Sequence, residues 1–238
     1  MNTESSNCSI VTENDTTYVK LNPSDISLSL NGKLSDEDIK LAEENMTLHN
    51  EIMDLKRDLY NECHNCKCCN TNSLFHSIPY GSIKSKVMII NKMPTQYEAC
   101  RMHCMSDRNG MFLSLILQKM KVDREDVYMT DMIKCNAQLD QSSFNECINH
   151  YLRKEINIVS PRMIICNGLS VLKTGIKTGL FVGLPPQVCY GNIYNTDKFG
   201  VMAIYDLDTV LQKSGDDYAK CKYELWHQLL NAFQYAYQ

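Results

Sequence analysis

The 238-residue sequence has no run near the ~20 apolar residues that a membrane helix needs. Its longest apolar stretches, such as Val87–Ile90 and Met163–Cys166, have the length of buried strands. The opening residues, MNTESSNCSIVTEND, show neither a basic start nor an apolar core, so no secretory signal is read there and an intracellular protein is expected. Internal repeats and extended low-complexity tracts are absent. Tryptophan occurs once, as Trp226 in an amphipathic C-terminal segment, where a core position is expected.

Cysteine, in contrast, is abundant, with 12 residues. Disulfides are rare in reducing compartments, and clustered intracellular cysteines more often ligate metals or clusters. Cys63 and Cys66 form a C-x2-C, closely followed by Cys68 and Cys69; Cys135 and Cys147 come about seventy residues later. A C-x2-C brings two thiolates within reach of one metal. Structural zinc needs a second pair of Cys or His, and a [4Fe–4S] cluster needs four thiolates, commonly from separated segments. A local site made only of Cys63, Cys66, Cys68 and Cys69 is a further option. Cys166 sits in an apolar run and reads as a core residue. Cys8, Cys100, Cys104, Cys189 and Cys221 lack paired spacing.

Charge is unevenly spread. Residues 1–62 hold 5 Lys+Arg against 13 Asp+Glu, whereas the remainder carries a net charge of +4. The overall value of −4 therefore comes from the N-terminal quarter, and a nucleic-acid partner for the rest is allowed. Residues 1–33 read as a polar, mobile tail with a short strand around Thr17–Leu21. Residues 34–62 read as an acidic helix. Ser35 is its N-cap, and Asp36, Glu37 and Asp38 favour the positive end of the helix dipole. Leu41, Asn45, Leu48, Ile52, Leu55 and Leu59 recur at spacings of 4, 3, 4, 3 and 4. That stripe either packs on the chain's own domain or pairs two copies as a coiled coil, with Asn45 setting the register.

Residues 63–238 read as one α/β domain. Strands are expected at Lys86–Asn91, Val127–Ile133, Arg162–Asn167 and Phe199–Tyr205. Helices are expected at Gly110–Met120, Phe144–Val159, Gly168–Thr174 and Tyr218–Tyr235. Alternation of this kind implies a three-layer α/β/α fold around a central, mostly parallel four-stranded sheet, with functional groups at the carboxyl ends of its strands.

Several motifs carry a resemblance. Arg124–Cys135 reads REDVYMTDMIKC, Glu146–Cys147 follows, and Pro161–Gly168 reads PRMIICNG. Over about residues 50–230 this order resembles the iron–sulfur (family four) uracil-DNA glycosylases and a related domain found with some phage DNA polymerases. The resemblance implies a structural [4Fe–4S] cluster held by Cys63, Cys66, Cys135 and Cys147; zinc stays the alternative that the cysteine spacing itself leaves open. It also implies DNA as partner, base flipping, and hydrolysis of the N-glycosidic bond between uracil and its sugar. Such a protein works in the cytoplasm or, in a eukaryotic or viral setting, wherever DNA is replicated.

The resemblance breaks at the site motifs. Where the family has G-E-x-P-G and E-D, this chain has Asn91-Lys92-Met93-Pro94-Thr95, then Glu98 and Ala99. The lost glycines would have let backbone approach the base. Met105 replaces the Phe that stacks on uracil, while Arg108 and Gly110 are kept. Asp131 replaces the Asn that reads the base edge, and an ionised Asp only accepts hydrogen bonds. Ile204-Tyr205-Asp206-Leu207 stands where the family has T-x-H-P, so a carboxylate replaces the His beside the departing anion. The base pocket would comprise Asn91, Pro94 and Met105. Lys84, Arg108 and Lys134 are candidate DNA-backbone contacts, and His103 lies close to the pocket motif. Three functions follow as expectations. One is a glycosylase-like protein that binds DNA or a replication or repair partner without excising uracil. The second is an active glycosylase of altered specificity using Glu98, Asp131 or Asp206 to activate water. The third is a zinc-stabilised oligomeric interaction protein built on the 35–60 helix.

Overall fold

The computed structural model describes residues 8–13 and 16–21 through their backbone, and residues 40, 46–47, 49–57, 76–136 and 141–238 in full. The chain divides into two units, Met1–Asn50 and Glu51–Gln238. In the first, strands β1 (Cys8–Glu13) and β2 (Thr16–Leu21) pair antiparallel, with Cys8 opposite Leu21 and Glu13 opposite Thr16. The strand expected around Thr17–Leu21 is therefore present, with a partner the sequence did not single out.

The second unit is built on β3 (Val87–Asn91), β4 (Val127–Asp131), β5 (Met163–Asn167), β6 (Tyr194–Asn195) and β7 (Gly200–Ile204). Their order is β4-β3-β5-β7-β6. The first four are parallel and β6 is antiparallel to β7. The sheet thus has five strands rather than four. β6 is only two residues long, too short for a periodic signal.

Nearly every residue of the parallel strands is buried, which is why each reads as a continuous apolar run rather than an alternation. Met88, Ile90, Tyr128, Ile164, Cys166, Val201 and Ala203 face one layer. That layer includes Ile52 and Leu55 of the helical residues 49–57 (α1), and much of a long helical segment. The segment runs as α4 (Gln141–Cys147), a π-helical turn (Ile148–Leu152) and α5 (Arg153–Val159). It was expected as one helix over Phe144–Val159. The wide turn follows Cys147 directly, and such turns recur at functional positions. α6 (Leu169–Lys177) completes this layer.

The other face carries Val87, Ile89, Val127, Met129, Met163, Ile165, Met202 and Ile204. It is covered by α3 (Arg108–Lys119), α7 (Leu207–Leu211) and α8 (Gly215–Tyr237). The short helix α2 (Gln96–Arg101) follows β3. Trp226 packs, partly buried, against this second layer.

Ile52 and Leu55 are core residues of the domain, so this part of the apolar stripe packs on its own chain. Leu41, Asn45, Leu48 and Leu59 lie outside the described residues. The free side of β4 is covered by residues 76–80, where Tyr80 and Met129 exchange both backbone hydrogen bonds and His76 bridges Cys135. Covering an edge in this way removes a template for unwanted strand pairing. Among the described residues no helix is long and apolar enough to cross a membrane.

Candidate functional site at the carboxyl edge of the sheet

The carboxyl ends of the strands bring Asp131, Asn91, Asn167 and, just beyond β7, Asp206 into one row. Asn91 and Asp131 are register partners on adjacent strands. Asn167 links the row: its amide donates to Asn91 Oδ1 at 3.0 Å, and its Oδ1 accepts the Leu207 N–H at 3.0 Å. Asn91 in turn donates to the Met93 carbonyl at 3.3 Å. Sequence reasoning missed Asn167. Its only signal was its place before Gly168, at the end of the PRMIICNG strand.

The turn after β3 explains one lost glycine. Thr95 is the N-cap of α2 in a reciprocal capping box. Its N–H donates to Glu98 Oε2 at 2.8 Å, while the Glu98 N–H donates to Thr95 Oγ1 at 3.3 Å. Glu98 itself is 0% exposed, and its Oε1 has no hydrogen-bond partner among the described residues. Burial, aided by the charges of Asp131 and Asp107, pushes this carboxyl up to about 7, against the Thr95 hydrogen bonds. Pro94 is buried beside it, and its carbonyl accepts from the Asn136 amide at 2.9 Å.

Asp131 is 1% exposed, and no well-formed hydrogen bond from the described residues reaches either oxygen. Burial raises its carboxyl above the ordinary range. The Ser77 hydroxyl, Lys134 ammonium, Cys104 thiol and Asn91 amide lie near enough to oppose that rise. Cys104 is buried in the same place, and burial with the charges of Asp131 and Glu98 pushes its thiol well up. Glu98, Asp131 and Cys104 thus form one buried, electrostatically linked group. Asp206 plays a different part. Its Oδ1 accepts the Thr209 N–H at 2.9 Å and caps α7. It adjoins Gly168, where an added Cβ would come 3.3 Å from Asp206 Oδ2.

Met105 is 1% exposed and packs among Val87, Ile89, Leu113 and their neighbours, so it offers no open face for stacking on a base. It takes a left-handed backbone conformation (φ 55°). The Arg124 guanidinium donates to its carbonyl at 2.5 Å and to the Gly110 carbonyl at 2.8 Å. A Cβ on Gly110 would sit 1.7 Å from the Met105 carbonyl oxygen, which explains why that glycine is kept. A cleft of about 830 Å³ opens on the flank of the sheet, between Tyr80, His103, Arg124 and the exposed Met111 and Leu115 of α3. His103 lines this cleft, its ring centroid 4.8 Å from that of Tyr80.

Of the three cations singled out, Lys84 and Arg108 are exposed. The expectation for Lys134 is corrected. It is 1% exposed, and its Nζ lies 2.7 Å from Glu155 Oε1 and donates to the Asp131 carbonyl at 2.8 Å. An ammonium committed to a buried ion pair is not available to a DNA phosphate.

Cys135 and Cys147 are both buried in the core layer that holds Ile52 and Leu55. Cys63, Cys66, Cys68 and Cys69 lie outside the described residues, as does everything between Arg57 and His76. The flanks of that stretch are nonetheless placed. α1 inserts Ile52 and Leu55 into the layer containing Cys135 and Cys147, and His76 bridges Cys135 directly. Among the described residues no three metal-ligating side chains gather.

A parallel α/β sheet with its polar groups gathered at the carboxyl edge is the plan of an α/β domain that binds its ligand there. The chain belongs to the uracil DNA glycosylase superfamily, whose family model matches residues 78–230. Similar proteins include the Type-4 uracil-DNA glycosylase of Thermotoga maritima, 23% identical over 130 residues, covering 53% of this chain and 67% of that protein. The Type-4 uracil-DNA glycosylase of Archaeoglobus fulgidus is 22% identical over 165 residues, covering 66% and 83%. That of Pyrobaculum aerophilum is 30% identical over 123 residues, covering 49% and 62%.

Proposed function

We propose that this superfamily member engages DNA, or a replication or repair partner on DNA, and excises uracil poorly or not at all. The observation that carries the reading is Asp131. A buried carboxyl that accepts no well-formed hydrogen bond from the described residues stands where the resemblance puts a base-reading amide. Uracil leaves as an anion, and stabilising it requires fixed donors where charge develops. Asp131 and Asp206 both place carboxylates at that edge, and Met105 replaces an aromatic face with a buried aliphatic chain. Removing one donor of this type costs roughly 10²–10³ in rate. The test measures binding to matched oligonucleotides with and without uracil, together with single-turnover excision. Binding without excision supports the reading, and rapid excision overturns it.

A second reading rests on Glu98. A carboxyl held at about 7 is near half-ionised at neutral pH, which suits a general base that activates water for an active glycosylase of altered specificity. In that case excision of some base rises with pH through about 7 and is lost in Glu98→Gln.

The donor chemistry of four thiols fits a [4Fe–4S] cluster held by Cys63, Cys66, Cys135 and Cys147. When bound, the cluster supplies a structural cross-link rather than a redox step. The chain's own contribution among the described residues is to bury Cys135 and Cys147 in one layer. Anaerobic purification with assays for iron, sulfide and zinc separates this from the zinc alternative, and Cys135→Ser abolishes the site. Homodimerisation through the 35–60 helix is a weaker proposal, because Ile52 and Leu55 of that stripe already pack inside the domain. An intracellular location fits thiolate ligands and a DNA-acting family.

A further inference from the structure

We propose that the amino-terminal edge of the sheet is a second nucleic-acid contact, in which Lys86, Arg162 and Lys198 hold the phosphates of one strand. The inference rests on the DNA-binding reading above and adds to it a surface at the opposite end of the sheet from the base site.

Three adjacent strands begin beside exposed cations. Lys86 immediately precedes β3, Arg162 immediately precedes β5, and Lys198 stands two residues ahead of β7. They are neighbours through the backbone. The Arg162 N–H donates to the Lys86 carbonyl at 2.9 Å, and the Gly200 N–H donates to the Arg162 carbonyl at 2.9 Å. With strands about 4.8 Å apart, the row spans about 10 Å. One strand of duplex DNA carries a charge about every 3.4 Å along the axis, so the row matches about three phosphates.

Lys84, also exposed, extends the row ahead of Lys86. An aromatic face accompanies it: Lys86 Nζ lies 5.0 Å from the ring centroid of Tyr237, which is 54% exposed. Close packing beside the row is built in, since a Cβ on Gly200 would lie 2.6 Å from the Tyr235 ring. Carboxylates near this edge include Asp126, at the foot of β4, Glu125 beside it and Asp197 next to Lys198. Among the described residues no ion pair engages Lys86, Arg162 or Lys198. Exposed cations in a row, with an aromatic ring alongside, suit a phosphodiester backbone.

The test compares the full-length protein with the triple variant Lys86→Gln, Arg162→Gln, Lys198→Gln. The probe is a uracil-free oligonucleotide titrated at several salt concentrations. Three lost phosphate contacts lower the slope of log K against log salt by about 2.7 for duplex DNA and about 2 for a single strand. Affinity at low salt falls, while the melting temperature stays that of the parent. A parent that binds DNA with a slope the triple variant does not change overturns this inference and leaves the DNA-binding reading standing. A parent that binds no DNA overturns both. If polyglutamate binds the parent as tightly as the oligonucleotide and is lost equally in the variant, the nucleic-acid assignment is overturned.

Discussion

The two ends of one sheet treat charge in opposite ways. At the carboxyl edge, Glu98 and Asp131 are buried, Asp206 caps a helix and Lys134 is locked against Glu155. At the amino edge, Lys86, Arg162 and Lys198 stand exposed. The same strands supply both ends, so the difference comes from what covers each. α2, α7 and the turns after β3 and β4 close over the carboxyl edge, whereas the amino edge meets solvent. Charge at the covered end has become part of the fold, and charge at the open end stays in solvent.

The sharpest way to break this contrast is to remove one lysine from each end. Lys134→Ala leaves Glu155 buried without its partner, and such a loss costs about 3–5 kcal/mol. Lys86→Ala, at an exposed position, shifts stability by about 0.5 kcal/mol or less. Thermal melts of the two variants side by side check this, and equal small effects would erase the distinction.

A pH series sharpens it further. The Glu98 carboxyl is raised to about 7 in the folded protein from an ordinary value of 4.5. Between those values the folded state holds the proton that the unfolded state has released, so stability falls as pH rises. The favourable contribution is complete below pH 4.5 and gone above about 7. Asp131, also raised, adds a decline in the same direction. In Glu98→Gln the fall across this window becomes shallower, and denaturant unfolding at several pH values reads it. Smaller still is Asp206→Ala. It removes the α7 cap and costs about 1 kcal/mol, whereas Asp206→Asn keeps the cap and costs less.

The sequence was most readable where burial was uniform. KVMIIN, VYMTDMI, RMIICN and FGVMAIY are continuous apolar runs, and each holds a parallel strand with its end shifted by a residue or two. β6 escaped because two residues carry no period. Lys134 reads as a surface cation in one dimension. Only the long-range pairing of β4 with the α5 layer brings Glu155 to it and shows it buried. Asp206 reads as a substitution in a catalytic motif. Its part as a helix cap depends on Thr209 lying three residues on, in a helix too short to announce itself. Asn167 joins Asn91 to Leu207 across three strands, a contact set by strand order alone. Asp131 was singled out from the sequence, but its burial beside Glu98 and Cys104 needed the fold.

The most direct test of the account is single-turnover excision of uracil from an oligonucleotide by the parent protein and by Asp131→Asn. If a buried carboxylate at the base-recognition position suppresses excision, the parent is slow and the amide variant is faster by an order of magnitude or more while binding DNA no more tightly. Rapid excision by the parent, unchanged or slowed in Asp131→Asn, would contradict it.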